Sequence, residues 1–268
     1  LPMPAQEVVE EPPGEFEVRF RPPVPAEDWN AQISLLTGMA AAQLMLDAGI
    51  GILRTMPAPD PGAMKRFRRE AKAVGVPWPD GMRYGEFLRT LDRSNSRHLA
   101  LMHEATGLFR GAGYTPFQGT APEQPLHAAV AAPYAHVTAP LRRLVDRFGL
   151  ALCEAIAAHQ PVPGWVTDAF ADLPALMRAG DQKASAVERA CTDAVEAAML
   201  SGRVGEDFAG IVVDMHRSGE VVVQVADPAI VARAKAAATA PQIGDAVMVA
   251  LTSADVTLGK VEFAIAPA

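Results

Sequence analysis

"YAHVTAPLRRLVDRFG", Tyr134 to Gly149, is the stretch on which the reading of this chain turns. A Thr-Ala-Pro turn is followed by Leu141, Leu144, Val145, Phe148 and Leu152 at helical spacing, with Thr138 as a cap and Pro140 where a missing N–H costs nothing. The pattern predicts a helix with Arg142 and Arg143 in its first turn. That is a poor place for cations, because a helix N-terminus carries about half a positive charge and disfavours Lys or Arg by roughly a few tenths of a kcal/mol. An anion in front of the helix resolves the conflict, since free backbone N–H groups and guanidinium forks both bind phosphate. The alternative is that both arginines face solvent or pair with a nearby acid such as Asp146.

Charge decides how broad such a site is. The chain of 268 residues has 24 basic and 31 acidic residues, a formal charge of −7, which argues against a wide positive surface for nucleic acid. Phosphate binding is therefore expected to be local. No run reaches the roughly 18 apolar residues of a membrane span, so a membrane partner is not expected. Cys153 and Cys191, on apolar helical faces and without a signal peptide ahead of them, read as reduced core residues of a cytoplasmic protein. Leu1 in place of Met, and opening residues that read as the middle of a folded unit, suggest a piece of a longer protein.

Outward from the central stretch, the grammar is mixed. "AQEVVEEPPGEFEVRFRPP" alternates on both sides of a Pro-Pro-Gly turn and predicts a β-hairpin over Glu7–Glu10 and Glu15–Arg21. "AEDWNAQISLLTGMAAAQLMLDAG" predicts a long buried helix ended by Gly49. Asp60, Pro61 and Gly75 bracket a helix that carries Lys65, Arg66, Arg68, Arg69 and Lys72, the most basic segment and most simply a solvated face. "MRYGEFLRTLD" and "SNSRHLALMHEATGLFRGAG" read as two further helices. "YTPFQGTAPEQPLHAAVAAP" reads as a long loop delivering the chain to Tyr134. A final long helix runs to about Leu200.

At Ser201 the pattern changes to short alternating strands on both sides of an Ala-rich helical stretch, which suggests a small OB-like barrel. Two domains are thus expected, 1–201 and 202–268. Phe208 and Phe263 are the barrel's aromatic residues, and acids outnumber bases from Arg203 onward, so its hold on single-stranded nucleic acid should be weak. No phosphate-cradling P-loop or nucleophile elbow is present, and His98 and His103 are five apart, a spacing that does not align a metal pair on one helical face.

The central stretch resembles the Tyr-x-His-Phe-Thr-Ser-Pro-Ile-Arg-Arg-Tyr-x-Asp signature of the ribonuclease II / ribonuclease R family, the RNB-domain exoribonucleases. It departs from it at Ala139, Leu141 and Leu144. "ISLLTGMAAAQLMLDAGIGILRTMP" is similar to the family's long helix and the segment after it, and "AVERACTDAVEAAML" to its last RNB helix. The resemblance implies an α+β, mostly helical C-terminal portion of an RNB domain, opened by the hairpin and closed by an OB-fold barrel. It implies 3′ to 5′ hydrolysis of single-stranded RNA to nucleoside monophosphates with magnesium in the full-length enzyme. Arg142 would contact the scissile phosphate, and Glu188 would lie near the 3′-terminal nucleotide. Tyr134, His136, Thr138, Arg143 and Arg189 would be RNA-facing positions. Asn30 stands where the family has an acidic residue, with Glu27 and Asp28 close by. The family's metal-binding aspartates and base-clamping aromatics lie in an upstream segment of the same domain. This chain alone is therefore expected to bind no metal, to be inactive, and to need that upstream segment as its partner. The alternative is a non-catalytic RNA-binding or assembly module of the same ancestry.

Overall fold

The computed structural model describes residues 5–10, 16–21, 24–73, 75–92, 110–215, 220–225, 230–235 and 241–265, with isolated positions between 95 and 108. In chain order the elements are β1 (Ala5–Glu10), β2 (Phe16–Arg21), α1 (Pro25–Ala48), β3 (Ile50–Thr55), α2 (Pro61–Ala73) and α3 (Tyr84–Arg89). Then come β4 (Gly113–Gln118), β5 (Leu126–His127), β6 (Ala132–Pro133), α4 (Leu144–Ala157), α5 (Gly164–Asp168) and α6 (Leu173–Leu200). β7 (Asp207–Met215), β8 (Val221–Val225), β9 (Ile230–Lys235), β10 (Ala246–Asp255) and β11 (Lys260–Ile265) complete the chain. These fall into two compact units, one of Val24–Asp60 with Phe109–Ser185, the other of Leu1–Pro23, Pro61–Leu108 and Ala186–Ala268.

In the first unit, the Val24 N–H donates to Glu27 Oε2 at 3.0 Å to open α1, and Gly49 at φ 70° closes it with its N–H on Leu46 O. Only the second half of this helix is in the core, through Gly38, Ala41, Ala42 and Met45. The expected long buried helix is corrected: Trp29, Ile33 and Leu36 are each about two-thirds exposed. β3 pairs antiparallel with β4 from Ile50↔Gln118 to Thr55↔Gly113, so the expected Pro/Gly loop contains a strand. Tyr114 and Phe117 are buried in it, and Pro116 is tolerated because, among the described residues, β4 pairs on one edge only.

The segment Tyr134–Val137 runs between two helices. The Ala135 N–H donates to Gly38 O at 3.0 Å, and the Arg54 N–H donates to Tyr134 O at 2.8 Å, so this extended stretch ties α1 to β3. A Cβ at Gly38 would lie 2.2 Å from Tyr134 Cε2 and 2.7 Å from Ala135 O; at Gly149 of α4 it would lie 3.0 Å from Val137 Cγ1 and 3.1 Å from His136 O. Both helices approach the segment only because they present glycine to it. Val145 and Leu152 of α4, Val166 and Phe170 around α5, and Leu173 and Met177 of α6 complete the core.

In the second unit, β1 and β2 pair from Ala5↔Arg21 to Glu10↔Phe16, as the hairpin pattern predicts; the Pro-Pro-Gly turn lies outside the described residues. α2 is anchored by Phe67 and Ala71, both buried, and Phe67 packs edge-on against Trp78 and Phe87. Lys65, Arg66, Arg69 and Lys72 are exposed, and the partly buried Arg68 stacks over Trp78 at 3.9 Å. Most of the expected helix over residues 94–113 lies outside the described residues. The middle of α6, residues 178–191, is exposed throughout, which corrects the expectation that Cys191 is a core thiol; Cys153 is half-buried in α4, and both thiols are free.

β7 to β11 close into a barrel in the order β10-β11-β9-β8-β7, antiparallel except for the β11–β9 closure. Ile230–Lys235, within the Ala-rich stretch expected to be helical, is strand β9. Ile230 and Ala234 point into the core and the strand is needed on both sides, by β8 and by β11, which overrides alanine's helical preference. Phe208 and Phe263 meet edge-to-face in that core at 5.8 Å.

Gly38→Ala is expected to destabilise the protein by about 1–3 kcal/mol in urea denaturation, with Gly149→Ala milder. Overpacking against a backbone carbonyl outweighs the roughly 1 kcal/mol by which alanine favours a helix interior.

Candidate nucleic-acid interface

α4 begins at Leu144, later than the sequence pattern predicts. Residues Ala139 to Arg142 form a turn in which the Arg142 and Arg143 N–H groups both donate to Ala139 O, at 3.2 and 3.0 Å. Arg143 is the N-cap residue, with extended φ −121° and ψ 115°, and Thr138 does not cap the helix. The physical reason is Asp146. Its carboxylate is fully buried at the third helical position and accepts from the Ala139 N–H at 2.6 Å, Arg143 Nε at 2.9 Å and Arg143 Nη2 at 2.8 Å. An acid in a first helical turn is well placed for the dipole, and here it also pulls the preceding turn back onto the helix. Arg147 Nε donates to Pro140 O at 3.3 Å and holds the same turn from the other side.

The predicted residues therefore occupy unequal positions. Tyr134 is buried and His136 half-buried, beneath the turn; Thr138 and Arg142 are exposed on it. The Arg143 guanidinium is bidentate on Asp146, and its Nη2 also donates to Thr138 Oγ1 at 3.4 Å. Leu141, beside Arg142, is 98 % exposed. Asn30 is exposed in the first turns of α1 in the same unit. Glu188 and Arg189 are exposed on α6 in the other unit.

Three residues that sequence reasoning missed join this cluster from separate strands. Tyr114 Oη shares a 2.8 Å hydrogen bond with His136 Nδ1, and the Arg54 guanidinium lies 4.5 Å over the Tyr114 ring. His127 packs edge-on against Tyr134, which in turn packs edge-on against His136. Burial, followed by the Arg143 and Arg54 charges, pushes His136 down to about 3, and burial followed by Arg54 lowers His127. Burial raises the Tyr114 and Tyr134 phenols. The imidazoles are thus neutral supports under a turn that carries Arg142 exposed, with Arg147 exposed beside it.

Among the described residues no three His, Cys, Asp or Glu side chains lie together as a protein-only set of metal ligands. No helix among them is long and apolar enough to cross a membrane. In the second unit, a cleft of about 460 Å³ beside the barrel is lined by Asp193, Glu196 and Glu262 as well as Arg233, Lys235 and Lys260. Phe263 also lines this cleft, but it and Phe208 are buried in the barrel core, so neither ring presents an open stacking face.

Residues 206–266 match the RNase II-type exonuclease C-terminal S1 domain. With the fold, this gives the chain the architecture of the C-terminal portion of an RNB-family exoribonuclease. It is similar in structure to Mycoplasma genitalium RNase R in complex with ribose-methylated single-stranded RNA, with a TM-score of 0.81 at 15% identity over 98% of this chain and 45% of that one. Similar too is the exoribonuclease Dss1 of Candida glabrata, as an active-site mutant, at 0.69 and 14% identity over 98% and 32%. Yeast Ssd1, a pseudonuclease, matches at 0.62 and 16% identity over 77% and 26%. The chain thus spans less than half the length of these relatives, and no curated protein sequence matches it.

Two measurements check this site. Asp146→Ala strands the Arg143 guanidinium, 15% exposed, without its carboxylate and is expected to destabilise the fold by roughly 3–5 kcal/mol in chemical denaturation. His136 has a folded value below its unfolded one, so the unfolded chain binds the extra proton. The stability it contributes is fully present above about pH 6.5 and is lost as the pH falls from there towards 3. Unfolding free energies from denaturant titrations across that window should fall with a slope of at most about 1.4 kcal/mol per pH unit from this residue, and His136→Gln should flatten the profile.

Proposed function

We propose that this chain is the C-terminal part of a 3′ to 5′ exoribonuclease that hydrolyses single-stranded RNA to nucleoside monophosphates. Arg142 contacts the scissile phosphate, and Glu188 stands near the 3′-terminal nucleotide. The observation that carries the reading is the tied turn at the start of α4, which holds Arg142 exposed beside a helix entrance while its neighbour is engaged internally. A cation at that position offers most where negative charge develops on a phosphate under attack. Magnesium, which supplies the hydroxide nucleophile in such chemistry, would be held by aspartates of the upstream part of the same domain. This chain by itself is then inactive and a weak RNA binder.

A second reading is favoured by the mixed-charge cleft, the buried barrel aromatics and the likeness to a pseudonuclease. On it, the chain belongs to a non-catalytic RNA-binding or assembly module that keeps the fold without the carboxylates.

Single-turnover assays on the full-length protein separate the two. Under the nuclease reading Arg142→Ala lowers the cleavage rate far more than RNA affinity, and Lys rescues poorly because it lacks the planar fork. An unchanged rate overturns the assignment of Arg142, and absence of any magnesium-dependent mononucleotide release from the full-length protein selects the second reading. The chain alone is expected to bind a labelled RNA oligonucleotide weakly, with a shallow dependence on salt and no cleavage.

A further inference from the structure

The two adjacent arginines have different electrostatic fates. Asp146 is fully buried, and both of its oxygens receive Arg143: Oδ1 from Nε at 2.9 Å and Oδ2 from Nη2 at 2.8 Å. This side-on fork is the strong geometry for a guanidinium and a carboxylate, and in a dry site it neutralises both charges. Arg143 is itself only 15% exposed. Asp146 Oδ2 also takes the Ala139 N–H at 2.6 Å, and Ala139 O takes the N–H groups of Arg142 and Arg143. The pair thus closes the turn on which Arg142 rides, while Arg142 has no side-chain partner among the described residues.

We propose that Arg143 is a positioning residue: with Asp146 it forms a buried, charge-neutral lock that presents Arg142 to RNA phosphate, and it makes no phosphate contact itself. This rests on the reading of the turn as a phosphate site. The lock predicts a division that the sequence conceals, in which one arginine of the pair sets the number of phosphates neutralised and the other sets how well the first is aimed.

The slope of log affinity against log salt counts phosphate contacts at roughly 0.7 per contact on single strands, whereas aiming changes the affinity at every salt concentration alike. Fluorescence anisotropy of the chain with a labelled single-stranded RNA oligonucleotide, for variants whose melting points stay above the assay temperature, reads both. Arg142→Gln is expected to reduce the slope by about 0.7. Arg143→Gln is expected to leave the slope unchanged and to weaken binding roughly three- to tenfold throughout, the scale of losing one hydrogen-bonded support. Arg143→Lys, which keeps the charge but lacks the fork, gives the same result as Gln under the proposal and covers the case in which Gln does not fold. Asp146→Asn releases Arg143 and is expected to steepen the slope. A slope reduced by about 0.7 in Arg143→Gln, or wild-type binding in Arg143→Lys, overturns the lock while leaving Arg142 in place. Wild-type affinity and slope in Arg142→Gln overturn instead the phosphate site itself, and the lock's role with it.

Discussion

The passage of Tyr134–Val137 between α1 and α4 is the constraint on which the first unit depends. An extended backbone can pass between two helices only where they lack side chains, and Gly38 and Gly149 provide those two places. The gap is then filled by hydrogen bonding, with the Ala135 N–H on Gly38 O and the Arg54 N–H on Tyr134 O. The segment is thereby fixed at Tyr134 and Ala135 before it reaches the turn. The exposed residues of that turn inherit their position from buried backbone, which is how a loop on the surface acquires the rigidity a binding site needs.

Under the turn the side chains form a second, polar layer of support. His136, Tyr114, Tyr134, His127 and Arg54 arrive from β3, β4, β5 and the central stretch, and they interlock through ring edges, one hydrogen bond and one cation–ring contact. Burial keeps the imidazoles uncharged, so the layer adds no positive charge of its own beyond Arg54. The local field at the turn is thus set by a small number of groups, two of which, Arg143 and Asp146, cancel.

Much of this was legible in the sequence, for physical reasons that differ by element. The hairpin, the helix ends at Gly49 and Gly75, the long final helix and the barrel all follow from period and punctuation, which are local. β3 and β4 were not legible: they are short, carry glycine and proline, and each finds its partner some sixty residues away, beyond the reach of pattern. β9 hid behind alanine, because its strand character comes from closing the barrel. At the turn, Thr138 and Pro140 imitate a helix start, while the signal that mattered was the spacing of Arg143 to Asp146, one helical turn apart. Arg142, Arg143, Tyr134 and His136 were found because they share one stretch. Arg54, Tyr114 and His127 were missed because only the fold assembles them.

The pairing of Thr55 with Gly113, reinforced by a 2.9 Å hydrogen bond between Thr55 Oγ1 and Thr115 Oγ1, has a consequence for modularity. The chain leaves the first unit just after β3 and returns just before β4, so the excursion that carries α2 and α3 starts and ends on neighbouring strands. An insert anchored in this way has its closure cost set by the paired strands and grows only slowly with length, by about 0.6 kcal/mol for each doubling. The β3–β4 pairing is therefore little affected, in closure entropy, by the length of the chain that runs between its two strands.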